Sequence, residues 1–198
     1  MGDDRIDHGV ESGSVIDERY PIGEFTPVPA LSSAERVDRI EQIARAPAHF
    51  RGAVAGLNDA QLDTPYRDGG WTVRQVAHHL PDSHMNAYMR FKWGLTEANP
   101  AIKTYEEKDW AKTPETSAPI AVSLDLLTAL HQRWVTLLRG MRAVDFARTI
   151  QHPDWGKPSL DTLLALYAWH GRHHTAHVTA LRQRMGWGGG GGGGGGAD

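Results

Sequence analysis

The segment from Tyr167 to His177 constrains the fold most strongly, because it contains four of the eleven histidines of the chain. At about 100° per residue, a helix places His170 and His174 one turn apart on the same side. Leu163 and Leu181 fall within about 20° of His170, so the pair occupies the middle of an apolar stripe. Buried imidazoles need hydrogen-bond partners or a metal ion. The sequence therefore predicts that this helix packs against others that supply such a partner.

Four long segments of the chain have the apolar periodicity of helices, and no strand pattern competes with them. Two of them begin with a capping box, in which Ser or Thr is followed three residues later by Glu or Gln. The predicted helices run from Ser32, from Thr72 to about Thr96, from about Ser123 to Met141, and from behind Ser159 to Gly186. Pro47 is expected to kink or interrupt the first of them. The predicted fold class is all-α, a four-helix bundle with an extended N-terminal segment.

The two ends of the chain differ in composition from its middle. Residues 1–19 are polar and aperiodic and are predicted to form a mobile arm, while the glycine tract in 188–198 is predicted to be a flexible tail. The remainder, 20–187, is predicted to be one four-helix metal-binding domain, whose residues 20–30 contain three prolines and should be extended. The connection 97–122 is long for a compact domain, and loops of that length are often functional or cover a site.

Composition excludes several classes of function. The chain has no cysteine, so disulfides and a cysteine nucleophile are excluded, and any metal must be held by nitrogen and oxygen ligands. The formal net charge is −3 with both signs interspersed, which gives no nucleic-acid-binding face. No apolar run is long enough to span a membrane, and the N-terminus does not resemble a signal peptide. The expected location is the cytoplasm.

The spacing of His170 and His174 is that at which two imidazoles bind one metal ion. The alternative is a pair of hydrogen-bonded core histidines, with His173 and His177 packing at the edge of the stripe. A metal site needs a third ligand, and the second helix offers His79 or His84.

Periodicity alone favours His84, which lies within about 50° of the centre of the second apolar stripe, whereas His79 lies about 100° away. Pro81, between the two, should bend the helix and makes an ideal wheel unreliable. From the residues alone His79 and His84 are therefore rival third ligands.

Six motifs spread along the chain resemble the DinB-like superfamily and, more narrowly, its YfiT-type metal-dependent hydrolases. The motifs are Tyr66–Leu80 (YRDGGWTVRQVAHHL), Asp82–Asn86, Arg90–Lys92, Tyr20–Glu24, Leu130–Trp134 and Trp169–His174. The resemblance extends from about Tyr20 to Trp187. It implies a four-helix bundle with a divalent metal, Zn²⁺ or Ni²⁺, on three histidines, which correspond here to His79, His170 and His174. Pro81 departs from the pattern, in which a small helix former is expected.

Three neutral imidazoles leave a coordination position open, which is typical of a catalytic site. The implied function is that of a hydrolase that activates water on the metal, with Asp82 as a hydrogen-bond partner of His79 or a general base. The resemblance also implies an alternative, an S-transferase that activates a low-molecular-weight thiol such as bacillithiol. A non-catalytic metal-binding stress protein is the third hypothesis. The expected partners are a small-molecule substrate and a second copy of the chain in a homodimer.

Overall fold

The computed structural model describes residues 17–188, and the predicted four-helix bundle is confirmed there. The long helices are α1 (Ser33–Val54), α3 (Val73–Thr96), α5 (Ile120–Arg139) and α7 (Leu160–Arg184), and the short ones are α2 (Asp59–Leu62), α4 (Glu107–Trp110) and α6 (Ala143–Phe146). A 3₁₀ turn covers Pro114–Ser117. Extended pairing within the described residues is limited to isolated bridges.

Each long helix packs against two others. Both α1 and α3 contact α5 and α7, so α1 and α3, which follow one another in the sequence, occupy diagonal positions. The same holds for α5 and α7. This order places α3, the helix of His79, beside α7, the helix of His170 and His174.

Local signals in the sequence set most of the helix ends. Ser32 and Glu35 form the predicted capping box, with the Ser32 amide donating to Glu35 Oε2 at 2.8 Å. Gly186 takes a positive φ of 65° after α7, and the Trp187 amide donates to the Arg182 carbonyl at 2.9 Å, as in a Schellman motif. Helix α5 begins at Ile120, three residues before the predicted start.

Two prolines lie inside long helices. Helix α1 continues through Pro47, so the predicted interruption does not occur, and α3 continues through Pro81. A proline has no amide hydrogen, so the carbonyl four residues earlier lacks its usual intrahelical donor. The carbonyls concerned are those of Ile43 and Ala77.

The apolar core consists of two clusters, one around Phe91 and Trp134 and one around Phe50 and Leu80. Between them, each long helix contributes small or polar residues. These are Ala46 and Pro47 of α1, Ser83 and His84 of α3, His131 of α5, and Gly171 and His174 of α7. A layer rich in histidine therefore separates two water-excluding regions.

Gly171 allows α7 to approach α1 closely in this layer. A Cβ atom at this position would lie 3.1 Å from the Ala46 Cβ and 3.6 Å from Cε1 of His84. A larger side chain would therefore push against both neighbouring helices.

A buried ion pair joins the beginnings of α1 and α7. Arg36 donates to both carboxylate oxygens of Asp161 at 2.7 Å, and the Leu31 amide donates to Asp161 Oδ2 at 3.1 Å. The side chain of Asp161 is 2% exposed. The bidentate geometry compensates for desolvating this carboxylate.

The connection after α3 packs against the outer face of that helix. Gln75 donates to the Ala111 carbonyl at 2.8 Å, and His78 Nε2 donates to the Ala118 carbonyl at 3.1 Å. His78 Nδ1 accepts from the Ser123 hydroxyl at 2.7 Å. His78, on the face of α3 opposite its apolar stripe, thus holds this connection in place.

The segment before α1 lies along α7. Trp169 donates to the Gly23 carbonyl at 3.2 Å, and Glu18 forms an ion pair with Arg184 at 2.8 Å. Residues 1–16 of the expected mobile arm and 189–198 of the expected glycine tail lie outside the described residues. Within residues 17–188, no helix combines the length and the apolar composition that a membrane span requires.

Candidate metal centre

Three histidines from two helices meet at one point. His79 comes from α3, and His170 and His174 come from successive turns of α7. Each offers one ring nitrogen such that the three nitrogens lie within 4.8 Å of one another. The structure therefore brings together the three residues that the resemblance implied as ligands.

The spacing of two of these nitrogens suits a shared cation. Nε2 of His79 lies 3.3 Å from Nε2 of His170. Two nitrogens that each lie about 2.1 Å from a tetrahedral metal are about 3.4 Å apart. A hydrogen bond between the two rings would also explain the distance, but it would not account for the convergence of His174.

His174 has a ring nitrogen without a hydrogen-bond partner. Its Nδ1 atom is buried and forms no hydrogen bond with the described residues. An orphaned buried nitrogen is costly unless another group satisfies it. Nδ1 of His173 and of His177 is unpaired in the same way, so the argument for a divalent metal is the set of three converging imidazoles, which such ions bind well.

Burial keeps the three rings neutral. Desolvation lowers the pKa of His79 to about 4, and it lowers those of His170 and His174 well below the ordinary value. A neutral imidazole has the lone pair that a metal ligand requires. No proton has to be displaced from a charged ring at neutral pH before a cation binds.

The surroundings are aromatic, and one ligand is partly open to solvent. The Trp71 ring lies 4.7 Å from the His79 ring, centroid to centroid. His79 and His174 are 5% and 7% exposed, whereas His170 is partly exposed.

His84, the rival of His79, lies on the other side of His170. Its Nε2 atom is 3.0 Å from Nδ1 of His170, and its Nδ1 atom is 2.7 Å from Nε2 of His131. Periodicity predicted correctly that His84 faces the core, since it is fully buried. Its hydrogen bonds to two other histidines were missed, because they depend on how three helices are rotated against one another.

The family of the chain follows from comparison with known proteins. The profile of the DinB superfamily matches residues 42–178. This chain belongs to the DinB superfamily. The resemblance described from the motifs is confirmed.

Relatives within the superfamily are similar over nearly their whole length. Two proteins named "putative metal-dependent hydrolase", from Bacillus mycoides and Bacillus cereus, are 51% and 52% identical over 172 residues, which is 86% of this chain and 99% of each relative. The solved structure of YfiT from Bacillus subtilis, described as "a probable metal-dependent hydrolase with an unusual four-helix bundle topology", is 48% identical. It superposes with a TM-score of 0.84 and covers 86% of this chain and 99% of that one.

Asp82 lies one turn after His79 in this DinB protein and is partly buried. Burial, together with the nearby Glu115, raises the pKa of its carboxyl to about 6. Among the hydrogen bonds of the described residues there is none in which His79 donates to the Asp82 carboxylate. The expected hydrogen-bonding role is therefore absent from this structure, and the role of general base stays a prediction.

The other two histidines of α7 pack against aromatic rings. His173 stacks on Trp169, with ring centroids 4.2 Å apart, and His177 stacks on Tyr66 at 3.9 Å. His177 Nε2 also donates to the Arg19 carbonyl at 3.1 Å. These contacts agree with the expectation that both histidines pack at the edge of the helix.

Proposed function

We propose that the chain is a metal-dependent hydrolase in which His79, His170 and His174 hold one divalent cation, Zn²⁺ or Ni²⁺. The observation that carries the proposal is the convergence of three neutral imidazole nitrogens within 4.8 Å. The names of its relatives agree with it. When bound to three imidazoles, such a cation lowers the pKa of water towards about 7 and polarises a carbonyl.

The protein itself contributes an aromatic wall and a base. Trp71 packs against His79 and limits the access of solvent on that side. Asp82, with a pKa of about 6, is mostly ionised at neutral pH, and as the proposed general base it would accept the proton that water loses as it attacks an ester or amide. The products are a carboxylic acid and an alcohol or amine.

The metal is tested before the activity. Elemental analysis of the purified protein should find about one equivalent of Zn²⁺ or Ni²⁺, and reconstitution of the metal-free protein with each ion should identify the one that binds more tightly. His49→Ala is the control, since His49 is exposed on α1 and lies outside the cluster. A His170→Ala variant with normal metal content would refute the assignment of the ligands.

The activity is tested with a panel of activated esters and amides. Hydrolysis should require the metal, disappear on chelation and return on reconstitution. It should be lost in His170→Ala and unchanged in His49→Ala. Rates in Asp82→Asn should fall about 10²- to 10⁴-fold if Asp82 is the general base.

A thiol S-transferase is the alternative, because three neutral ligands leave the full positive charge of the cation to favour a thiolate. The chain has no cysteine, so the thiol would have to be a separate small molecule such as bacillithiol. Conjugation of a small thiol to an electrophilic acceptor, without hydrolysis of any substrate in the panel, would replace the hydrolase proposal. A well-folded, metal-loaded protein with neither activity would favour a non-catalytic metal-binding protein.

The homodimer expected from the sequence is retained as a proposal. Met85, Met89 and Trp93 follow one another at intervals of one turn along α3, and all are exposed. Such a stripe is common at subunit interfaces. Sedimentation equilibrium at micromolar concentration should give the mass of two chains, and a monomer would refute the proposal.

A further inference from the structure

A chain of hydrogen bonds crosses the bundle behind the metal centre and takes one group from each long helix. His131 of α5 bonds through Nδ1 to the Ile43 carbonyl of α1 at 2.7 Å. Nε2 of His131 lies 2.7 Å from Nδ1 of His84 on α3, and Nε2 of His84 lies 3.0 Å from Nδ1 of His170 on α7. The residues Ile43, His84 and His131 are at most 2% exposed, so water does not compete for these bonds.

The bond to the Ile43 carbonyl fixes which atoms donate and which accept in this series of hydrogen bonds. A carbonyl only accepts hydrogen bonds, so the proton of this bond must be on Nδ1 of His131. In a regular helix the carbonyl would accept from the amide four residues later, but that residue is Pro47, which has no amide hydrogen. The proline inside α1 therefore leaves this carbonyl available to His131.

The tautomers of the next two rings follow from the first. A neutral imidazole has one donor and one acceptor, and burial lowers the pKa of His131 to about 4, so that ring is neutral at pH 7. Its Nε2 must accept, and His84 must donate from Nδ1. Nε2 of His84 in turn accepts from Nδ1 of His170, which leaves the Nε2 lone pair of His170 unused.

We infer that His84 and His131 are positioning residues, which hold His170 as its Nδ1–H tautomer and direct the lone pair of its Nε2 atom at the cation. The inference rests on the metal centre proposed above. It is supported by the position of Nε2 of His170, 3.3 Å from Nε2 of His79. A partner on the second ring nitrogen is how proteins commonly fix the tautomer and the orientation of a metal-binding histidine.

The tautomers can be observed directly in the metal-free protein. Long-range ¹H–¹⁵N spectra of protein labelled with ¹⁵N-histidine, recorded at pH 7.5, identify the protonated nitrogen of each ring. We expect Nδ1–H on His84, His131 and His170. An Nε2–H tautomer at His170 would overturn the inference, whatever the metal content of the protein.

Two substitutions of His131 separate its hydrogen bonding from its packing. His131→Phe keeps a ring but cannot accept from His84, so the constraint on His170 is lost and the affinity for Zn²⁺ should fall about 10- to 100-fold. His131→Gln retains a donor and an acceptor and should recover most of that loss. Chelator competition measures both. Unchanged affinity together with an unchanged His170 tautomer in His131→Phe would overturn the inference.

Trp134→Phe is the matched control on α5. Trp134 is fully buried beside His131, and its indole nitrogen forms no hydrogen bond in the described structure. This change therefore loosens packing but leaves the hydrogen bonds between Ile43, His131, His84 and His170 intact. It should leave the tautomers and the affinity unchanged. If His131→Phe does not fold, the wild-type spectrum and His131→Gln still decide the question.

Metal content and tautomers test the proposed function and the positioning role separately. Wild-type protein that binds no metal but shows the expected tautomers would refute the proposed function and leave the tautomer assignment standing. Tight metal binding with Nε2–H at His170 in the metal-free protein would refute the positioning role alone.

Discussion

Nε2 of His79 and Nε2 of His170 lie 3.3 Å apart, although 91 positions separate the two residues in the sequence. The contact exists because α3 and α7 pack side by side. On the far side of His170, Nε2 of His84 forms a hydrogen bond with the other ring nitrogen, Nδ1 of His170. His170 thus lies between the imidazole of His79 and that of His84, with one ring nitrogen facing each.

Removing a ligand from α7 should abolish tight metal binding. His170→Ala or His174→Ala leaves two nitrogens, and two ligands do not hold a divalent cation tightly in water. Helicity should remain near that of the wild type, as measured by circular dichroism, because most of the bundle is packed by the two apolar clusters. Wild-type metal content in either variant would contradict the prediction.

His79→Ala should weaken metal binding more than His84→Ala does. The first change removes a ligand, whereas the second removes the partner of one, which typically costs about 10- to 100-fold in affinity. Isothermal titration or chelator competition on the two variants gives the ranking. The reverse order would mean that His84, which periodicity favoured, is the ligand.

The free energy of unfolding of the metal-free protein should fall as the pH is lowered from 6.5 towards 4. Burial lowers the pKa of His79 and of His131 to about 4 in the folded state, against an ordinary value of 6.5, so in this range the unfolded chain binds protons that the folded chain does not. By pH 5 the loss is on the order of 2 kcal/mol for each ring. Asp82 acts in the opposite direction, since its raised pKa of about 6 favours the folded state at low pH.

Urea unfolding at pH 7.5, 6 and 5 measures this dependence. His131→Gln, which removes one of the titrating rings, should make it shallower. Stability that rises on acidification would show that the carboxyl outweighs the histidines.

Gly171→Leu should destabilise the bundle by about 2 kcal/mol, because the added side chain has no space between α7 and α1. Its Cβ alone would lie 3.1 Å from the Ala46 Cβ. Since His84 is the next neighbour, metal affinity should also fall. Gly171→Ala is the graded control, with a smaller effect on both quantities. Thermal unfolding and metal titration measure them, and a fully stable Gly171→Leu would contradict the packing described.

Arg36→Ala should destabilise the protein by about 3 kcal/mol, since it leaves the Asp161 carboxylate buried without its counter-charge. Arg51→Ala breaks the exposed Arg51–Asp125 pair and serves as the matched control, with an expected change below about 1 kcal/mol. Urea unfolding compares the two. Equal losses of unfolding free energy in the two variants would mean that burial of the Arg36–Asp161 pair does not increase its contribution to stability.

The sequence was most informative where structure is local. The capping box of Ser32 and Glu35 involves only residues three positions apart, so the start of α1 could be predicted. The end of α7 could be predicted in the same way from Gly186, which takes a positive φ directly after the helix. The start of α5 was predicted too late, because its cap, Pro119, forms no side-chain hydrogen bond that a capping pattern would reveal. Helix periodicity also gave the burial of His84, which lies on the apolar side of α3, but not that of His78, which lies on the opposite face and is covered by the connection after α3.

The candidate site was only partly predictable for the same reason. The i, i+4 spacing identified His170 and His174, but the choice of His79 came from a family resemblance and not from the residues. The hydrogen bonds of His131 to Ile43 and His84 join three helices, so they depend on the order and rotation of those helices. Pro47 was predicted to kink or interrupt α1; the helix continues through it, and the Ile43 carbonyl is left to accept from His131.

The order of the helices along the chain determines when the three histidines of the proposed metal centre can meet during synthesis. A growing chain that has produced only α1 and α3 contains His79 but neither of the nitrogens that lie beside it. The cation can be captured only after α7 has left the ribosome and docked against a helix made much earlier. Occupancy by metal would thus distinguish completed chains from truncated ones.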